Sequence, residues 1–210
     1  MDIKARILIQ ASELFMKYGI RNVTMDGIAR KLGISKKTIY QYFNNKANIV
    51  FEVSKAHFQE EEVKQEEIMR KAKNAVEELA LFIPYVIQSF EEIPPNMIYE
   101  IQKYYPEAWK LFDRHKAGFI LEKVRDNLRR GVAEGLYRPS INVELIARVR
   151  IAQIDASFSQ DLFPSHQFDS IEVQLQMFSL YMYGIVSDKG RDLLNTYLVN
   201  KDKRIESMKE

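Results

Sequence analysis

Three lysines lie at the starts of predicted helices, where positive charge is unfavourable. Lys36 and Lys37 follow Ser35, which can cap a short helix, and Lys46 opens the next helix. The helix dipole disfavours an exposed cation at such a position by about 0.3–1 kcal/mol. The placement suits a helix end that approaches phosphates or the acceptor atoms of guanine. A merely solubilising surface is the alternative interpretation.

Two short helices joined by a glycine turn are predicted to position these lysines. Thr24 can cap a helix of about eight residues, and Gly33 follows where the chain must turn with a positive φ. Ser35 then caps the second helix. Two pairs have the spacing of hydrophobic staples, namely Val23 with Ile28 and Ile34 with Ile39. The pattern predicts a helix-turn-helix.

The second helix has one apolar face and one polar face. Ile39 and Phe43 are four residues apart and can face a core, which turns Lys36, Lys37, Tyr40 and Gln41 outward. An exposed glutamine can hydrogen-bond an adenine edge, and tyrosine hydroxyls suit phosphate oxygens. For Tyr40 and Tyr42, packing inside the protein is the alternative.

The pattern Thr-x-x-x-Ile-Ala-x-x-x-Gly-Ile-Ser-x-x-Thr-Ile-Tyr-x-Tyr-Phe-x-Asn-Lys, from Thr24 to Lys46, resembles the signature of the TetR family of bacterial regulators. The resemblance implies that Lys36, Lys37 and Gln41 read bases. It also implies that phosphates are bound by Thr38, Tyr40, Tyr42 and Lys46. With the two caps, the predicted DNA-binding set is Thr24, Ser35, Lys36, Lys37, Thr38, Tyr40, Gln41, Tyr42 and Lys46. The sequence departs from the family pattern at Gly27 and Leu32, and neither is a predicted DNA contact.

The implied fold is all-α, with a three-helix DNA-binding domain in residues 1–46 and a helical effector-binding and dimerisation domain in residues 47–210. Apolar periodicity and the positions of glycine and proline predict helices throughout. Their predicted ranges are 3–18, 45–74, 75–91, 97–104, 106–134, 143–162, 169–186 and 189–203, with breaks that include Pro94-Pro95. The run Glu60–Glu62 is predicted to be a solvated face of the long helix.

The resemblance implies a homodimer formed by the helices 143–162 and 169–186. The second of these is apolar on nearly all sides, which favours cover from a partner as well as from its own core. A helix buried entirely within one chain is the alternative. Twofold symmetry would match a palindromic double-stranded DNA operator.

Aromatic and polar residues on the C-terminal helices are the candidate effector contacts, although core packing explains each of them taken singly. The candidates are Tyr85, Gln88, Met97, Gln102, Tyr105, Trp109, Phe112, Phe119, Gln153 and Phe158. Together they predict an apolar or aromatic small molecule rather than a metal or a highly charged anion.

Charge distribution and cysteine content narrow the classes of protein to which the chain can belong. The first 50 residues carry nine basic and three acidic groups, whereas the other 160 carry 22 basic and 26 acidic groups. A basic head on a mildly acidic body suits a DNA-binding module. There is no cysteine, which excludes disulfides, thiol catalysis and cysteine-bound metals.

No enzyme motif accompanies this charge pattern. The three histidines, His57, His115 and His166, lack a recognisable metal-ligand spacing and are predicted to lie on the surface. No phosphate-binding glycine loop or nucleophile elbow is present. We therefore expect no enzyme, no cofactor and no metal.

No apolar stretch reaches membrane-spanning length and no secretory signal precedes the first helix, so we expect a cytoplasmic protein without a membrane partner. The predicted function is that of a repressor released from its operator by an effector. An architectural DNA-binding protein without an effector is the alternative. An activator is the other, because the sequence does not encode where the operator lies relative to a promoter.

Overall fold

The computed structural model describes residues 2–93 and 97–207, with side chains except at 90, 92 and 200–207. Its α-helices are α1 (Ile3–Tyr18), α2 (Met25–Leu32), α3 (Lys36–Tyr40), α4 (Lys46–Lys71), α5 (Ala75–Glu92), α6 (Met97–Tyr104), α7 (Pro106–His115), α8 (Leu121–Ala133), α9 (Val143–Ser157), α10 (Ser170–Ile185) and α11 (Asp188–Ser207). Among the described residues there is no β-strand, only one isolated antiparallel bridge between Tyr137 and Val186. The prediction of an all-α fold is confirmed.

Most predicted helices are present, and two differ in their course. The range 106–134 is not one α-helix, because a π-helical turn at Lys116–Ile120 separates α7 from α8. The range 143–162 ends earlier, at Ser157, and turns occupy the residues up to α10. The predicted break at Pro94-Pro95 lies outside the described residues.

The chain divides into two compact units. Unit 1 comprises Met1–Val63 with Ser89–His115, and unit 2 comprises Lys64–Gln88 with Lys116–Glu210. Helices α4 and α5 therefore each contribute residues to both units. The predicted functional boundary after residue 46 stays a prediction. Of the described helices, none is long and apolar enough to cross a membrane.

Unit 1 is built on the first four helices and on α6 and α7. Its core contains Ile7 and Phe15 from α1, Ile28 from α2, Ile39 from α3 and Ile49 from α4, all almost completely buried. Ile7 and Phe15 lie on one face of α1, about two turns apart. Burying this shared apolar surface fixes the short α2 and α3 against the longer helices.

Two predictions about polar residues in unit 1 are wrong. Glu61 is buried rather than part of a solvated face, and His115 is buried rather than on the surface. The Nδ1 atom of His115 lies 3.0 Å from a carboxylate oxygen of Glu62, and its ring stacks on Phe58 with centroids 5.1 Å apart. Packing of α7 on α4, which the linear pattern does not show, buries this histidine.

The core of unit 2 joins α5 and the helices from α8 onward. Tyr137 is 1% exposed, and its hydroxyl lies 2.8 Å from Asn127 Oδ1 and 3.0 Å from the carbonyl oxygen of Ala75. A buried tyrosine hydroxyl needs such partners. The contacts tie the loop after α8 to the start of α5.

Candidate nucleic-acid interface and ligand cavity

The turn between α2 and α3 has the geometry that the sequence predicts. Thr24 Oγ1 accepts a hydrogen bond from the Gly27 backbone N–H at 3.0 Å, and Ser35 Oγ accepts one from the Thr38 N–H at 3.0 Å. Gly33 adopts a left-handed conformation with φ of 67°, which a side chain would disfavour. Both predicted caps and the predicted glycine turn are confirmed.

Gly27 fits the cap of α2. A Cβ atom at this position would lie 3.3 Å from Thr24 Oγ1, so the absence of a side chain leaves room for the capping oxygen. Gly27 still weakens the helix intrinsically, by about 1 kcal/mol relative to alanine.

Helix α3 and its C-terminal cap residue, Gln41, present the predicted base-reading residues to solvent. Lys36, Lys37 and Gln41 are exposed, while Ile39 is completely buried and anchors the helix. A short helix held by one cap and one buried anchor can offer its N-terminal side chains to a groove without rearranging.

The residues predicted to bind phosphate through a hydroxyl group lie in α3 or directly after it. Tyr40 and Tyr42 are exposed, so packing does not account for them. Thr38 is half-buried, and its hydroxyl lies 2.8 Å from that of Ser35. The contacts of these residues with phosphate stay predictions.

Asp26 is a partner of α3 that the sequence does not reveal. Lys36 Nζ lies 3.1 Å from Asp26 Oδ2, and both side chains are largely exposed. An exposed pair contributes at most about 1 kcal/mol. The contact therefore holds Lys36 weakly in the DNA-free protein, and a phosphate or a guanine could replace the carboxylate.

Lys46 is half-buried, and its ammonium group bonds to the protein's own backbone. Its Nζ donates to the carbonyl oxygens of Ile20 at 2.9 Å, Arg21 at 3.3 Å and Val23 at 2.8 Å. Partial burial lowers the pKa of its ammonium group, and the nearby Glu100 carboxylate opposes that shift. These bonds explain why a lysine begins α4 even without DNA. A phosphate contact by Lys46 stays a prediction.

Unit 2 contains a cavity of about 160 Å³, and the predicted Tyr85 is among its lining residues. The Tyr85 hydroxyl lies 3.4 Å from the Gln65 side-chain nitrogen, and its ring meets that of Phe82 edge-on with centroids 5.9 Å apart. The lining is Gln65, Glu78, Leu79, Phe82, Tyr85, Val86, Ile120, Lys123, Val124, Asn127, Arg150, Ile154, Phe178 and Tyr181.

The other nine predicted effector contacts do not line this cavity. In unit 2, Gln88 is exposed, Phe119 and Phe158 are half-buried, and Gln153 Oε1 is buried without a hydrogen-bond partner among the described residues. The remaining five belong to unit 1 and are Met97, Gln102, Tyr105, Trp109 and Phe112. Their role in binding a ligand stays a prediction.

Four of these unit 1 candidates take part in packing. Met97 and Tyr105 lie against the core, and the rings of Trp109 and Phe112 have centroids 5.1 Å apart. Gln102 is exposed. The structure therefore brings Trp109 and Phe112 together but gives no common cavity to the full predicted set.

Arg150 is absent from the residues that the sequence predicts to bind a ligand. Its guanidinium is buried in the cavity wall. The guanidinium carbon lies 4.9 Å from the ring centroid of Phe178 and 5.5 Å from that of Tyr181. Burial lowers its pKa to about 10. The spacing Ile146, Arg150, Ile154 indicates that this cation shares the apolar face of α9.

Comparison with known proteins agrees with this geometry. The family model for bacterial regulatory proteins of the tetR family matches residues 7–53. The HTH-type transcriptional regulator YvaF of Bacillus subtilis is 26% identical over 191 residues, which cover 89% of this chain and 97% of that protein. The HTH-type transcriptional repressor KstR2 of Mycobacterium tuberculosis is 26% identical over 153 residues, which cover 69% of this chain and 74% of that protein.

Solved structures share the fold. A transcriptional regulator from Saccharomonospora viridis, in complex with choline, superposes with a TM-score of 0.68 at 19% identity, covering 88% of this chain and 97% of that one. The matching family and the sequence relatives are regulators rather than enzymes.

Proposed function

Because the chain is a transcriptional regulator of the TetR family, we propose that it is a homodimeric repressor released from a palindromic operator by a small-molecule effector. The observation that carries the DNA-binding part is α3, which is capped by Ser35 and anchored by Ile39. It exposes Lys36 and Lys37, and Gln41 at its C-terminal cap is exposed as well. Acting on the chromosome places the protein in the cytoplasm.

Exposed apolar residues on α9 and α10 support the dimer. Leu145 and Val149 are one helical turn apart on α9, and Leu180 and Tyr183 lie on α10. Leu180 is 70% exposed, although the rest of α10 is rich in buried apolar residues. A second copy of the chain is the proposed cover, because a recognition helix as short as α3 reads few base pairs and twofold symmetry doubles its contacts.

The cavity in unit 2 supports the proposal that an effector binds to this protein. It is lined mostly by apolar and aromatic groups with a few polar ones, as small-molecule sites are. The choline complex of the S. viridis protein supports the view that this fold accommodates ligands. Repression is favoured because the relative KstR2 is a repressor.

Helix α4 is the proposed link between effector and DNA. It is continuous from Lys46 to Lys71 and contributes to both units, so a shift of this helix can change the spacing of two recognition helices in a dimer. Such coupling is reciprocal, and operator DNA must weaken effector binding by the same factor. Equal effector affinity with and without operator would contradict the mechanism.

Fluorescence anisotropy of the purified protein tests the proposal. The probes are the DNA flanking its own gene and the same DNA scrambled, each at two salt concentrations. We expect tight, salt-sensitive binding to a palindromic fragment and much weaker binding to the scrambled control. Equal binding to both would favour an architectural protein, and no binding to either would contradict a role at this site.

Gln41→Ala sharpens the test. We expect it to reduce the discrimination between wild-type and single-base-changed operators at one position of each half-site. Lys189→Ala, at an exposed position of α11, is the control that should leave discrimination unchanged. Unaltered discrimination in Gln41→Ala would remove this residue from base recognition.

A further inference from the structure

We propose that the cavity in unit 2 binds a small apolar molecule carrying one carboxylate, which pairs with Arg150. The identification of this ligand with the effector rests on the proposed function. The binding chemistry itself can be tested without DNA.

Arg150 is buried, and none of the described side chains supplies a counterion. The residue is 8% exposed, and its Nη1 atom has no hydrogen-bond partner among the residues that the structure describes. Within the described part of the chain, no carboxylate forms an ion pair with it. A guanidinium taken out of water is costly unless an opposite charge compensates, and orphaned buried donors are uncommon in native proteins. The arrangement indicates that a partner enters from outside the chain.

The other charged groups of the lining already have partners. Glu78 Oε2 lies 3.4 Å from Arg130 Nη1, and Lys123 Nζ lies 3.2 Å from Glu66 Oε1. An incoming ligand would have to break these pairs to use them. Arg150 is therefore the charged group in this cavity wall that is ready to bind an anion.

Two aromatic rings lie beside the guanidinium of Arg150, and aromatic rings cannot compensate its charge as an anion would. The ring centroids of Phe178 and Tyr181 lie 4.9 and 5.5 Å from the guanidinium carbon, within the range of cation–π contacts. The N–H donors of the guanidinium lie in its plane and match the two oxygens of a carboxylate. A neutral carbonyl could accept a hydrogen bond but would leave the charge uncompensated.

The rest of the cavity limits the body of the ligand. Leu79, Phe82, Val86, Val124 and Ile154 supply apolar surface, which disfavours a second charge on the ligand. The volume of about 160 Å³ resembles an apolar cavity of about 150 Å³ that is known to accept benzene. A molecule of the size of benzoate fits both the charge and the volume.

Isothermal titration calorimetry on the full-length protein tests the proposal with three probes of similar shape: benzoate, benzyl alcohol and benzylamine. We expect benzoate to bind at least tenfold more tightly than benzyl alcohol, and benzylamine to bind most weakly. Equal affinity for benzoate and benzyl alcohol, or no detectable benzoate binding, would overturn the proposal.

Variants at Arg150 separate charge recognition from packing. Arg150→Met should abolish the preference for benzoate, and Arg150→Lys should retain part of it. Arg148→Met is the control on the same helix, because Arg148 is exposed and pairs with Glu144. Unchanged benzoate affinity in Arg150→Met would contradict the assignment.

Thermal unfolding without ligand supplies a second readout. Replacing an unpaired buried charge by an apolar side chain should raise the Tm of Arg150→Met, whereas loss of a purely structural arginine should lower it. A lowered Tm would contradict the proposal. Operator binding is measured separately, so a protein that binds benzoate but no operator would refute the proposed function and leave the ligand assignment standing.

Discussion

Lys46 joins the start of α4 to the turn between α1 and α2 through three carbonyl oxygens. We predict that Lys46→Met lowers the free energy of unfolding by about 1–3 kcal/mol, since hydrogen bonds to a charged donor are lost. Urea denaturation measures this change. Lys37→Met is the matched control, because Lys37 is exposed on α3 and should leave stability nearly unchanged.

The same variant tests the predicted phosphate contact. If Lys46 also binds DNA, the slope of log affinity against log salt concentration should fall by about one in Lys46→Met. An unchanged slope in a folded protein would mean that Lys46 serves the fold alone. Equal stability of wild type and variant would mean that water replaces the lysine at these carbonyls.

Glu78 should make stability depend on pH. Burial raises the pKa of its carboxyl group above the usual value, and the contacts with Asn127 and Arg130 only partly oppose this. Between the ordinary glutamate pKa and the raised one, the native state binds more protons than the unfolded state. The free energy of unfolding should therefore fall as pH rises through this window.

Chemical denaturation of wild type and Glu78→Gln over this pH range tests the prediction. The fall in stability should be smaller in Glu78→Gln, which cannot ionise. Glu107→Gln, at an exposed position of α7, is the control and should follow the wild-type curve. Identical curves for all three proteins would assign the pH dependence to other groups.

At the scale of elements, the end of α8 depends on the close approach of the Tyr137 ring to Gly131. The ring of Tyr137 packs against Gly131 so tightly that a Cβ atom there would lie 2.1 Å from the ring. The backbone N–H groups of Leu136 and Tyr137 both donate to the Gly131 carbonyl oxygen, at 2.9 and 3.0 Å. The glycine thus permits the chain to fold back on α8.

We predict that Gly131→Ala destabilises the protein by about 1–3 kcal/mol, because the added methyl group would overlap a ring that is buried and held by its hydroxyl contacts. Thermal unfolding measures the effect. Gly118→Ala is the control, since a Cβ atom there meets nothing within 4 Å. A Tm for Gly131→Ala equal to that of wild type would show that the loop yields easily.

At the scale of the whole molecule, a dimer through α9 and α10 should depend on Leu180. We predict that Leu180→Glu yields a monomer, because like charges would face each other across a twofold interface. Sedimentation velocity gives the mass. Leu162→Glu is the control, because Leu162 is 59% exposed but lies in the turns between α9 and α10.

Operator affinity should follow the oligomeric state. The Leu180→Glu monomer should bind the palindrome more weakly than the Leu162→Glu protein does, since one recognition helix replaces two. A dimeric Leu180→Glu protein would place the interface elsewhere. A monomer with wild-type operator affinity would contradict the twofold model of DNA binding.

The amino-acid sequence by itself determined the helix-turn-helix. Thr24, Ser35 and Gly33 act within three or four residues of their own positions, and Ile39 follows the period of its own short helix. Caps, turns and helical periodicity are local effects, so the linear pattern contains them. The all-α class followed for the same reason.

Only the tertiary structure decided which residues share a cavity and which polar groups are buried. Arg150 lies over rings from α10, His115 lies beside α4, and Asp26 meets Lys36 ten residues further on. The π-helical turn at 116–120 and the early end of α9 likewise lack a local stop signal. These features depend on contacts between residues distant in sequence, and helical periodicity shows which face of a helix is buried but not what packs against it.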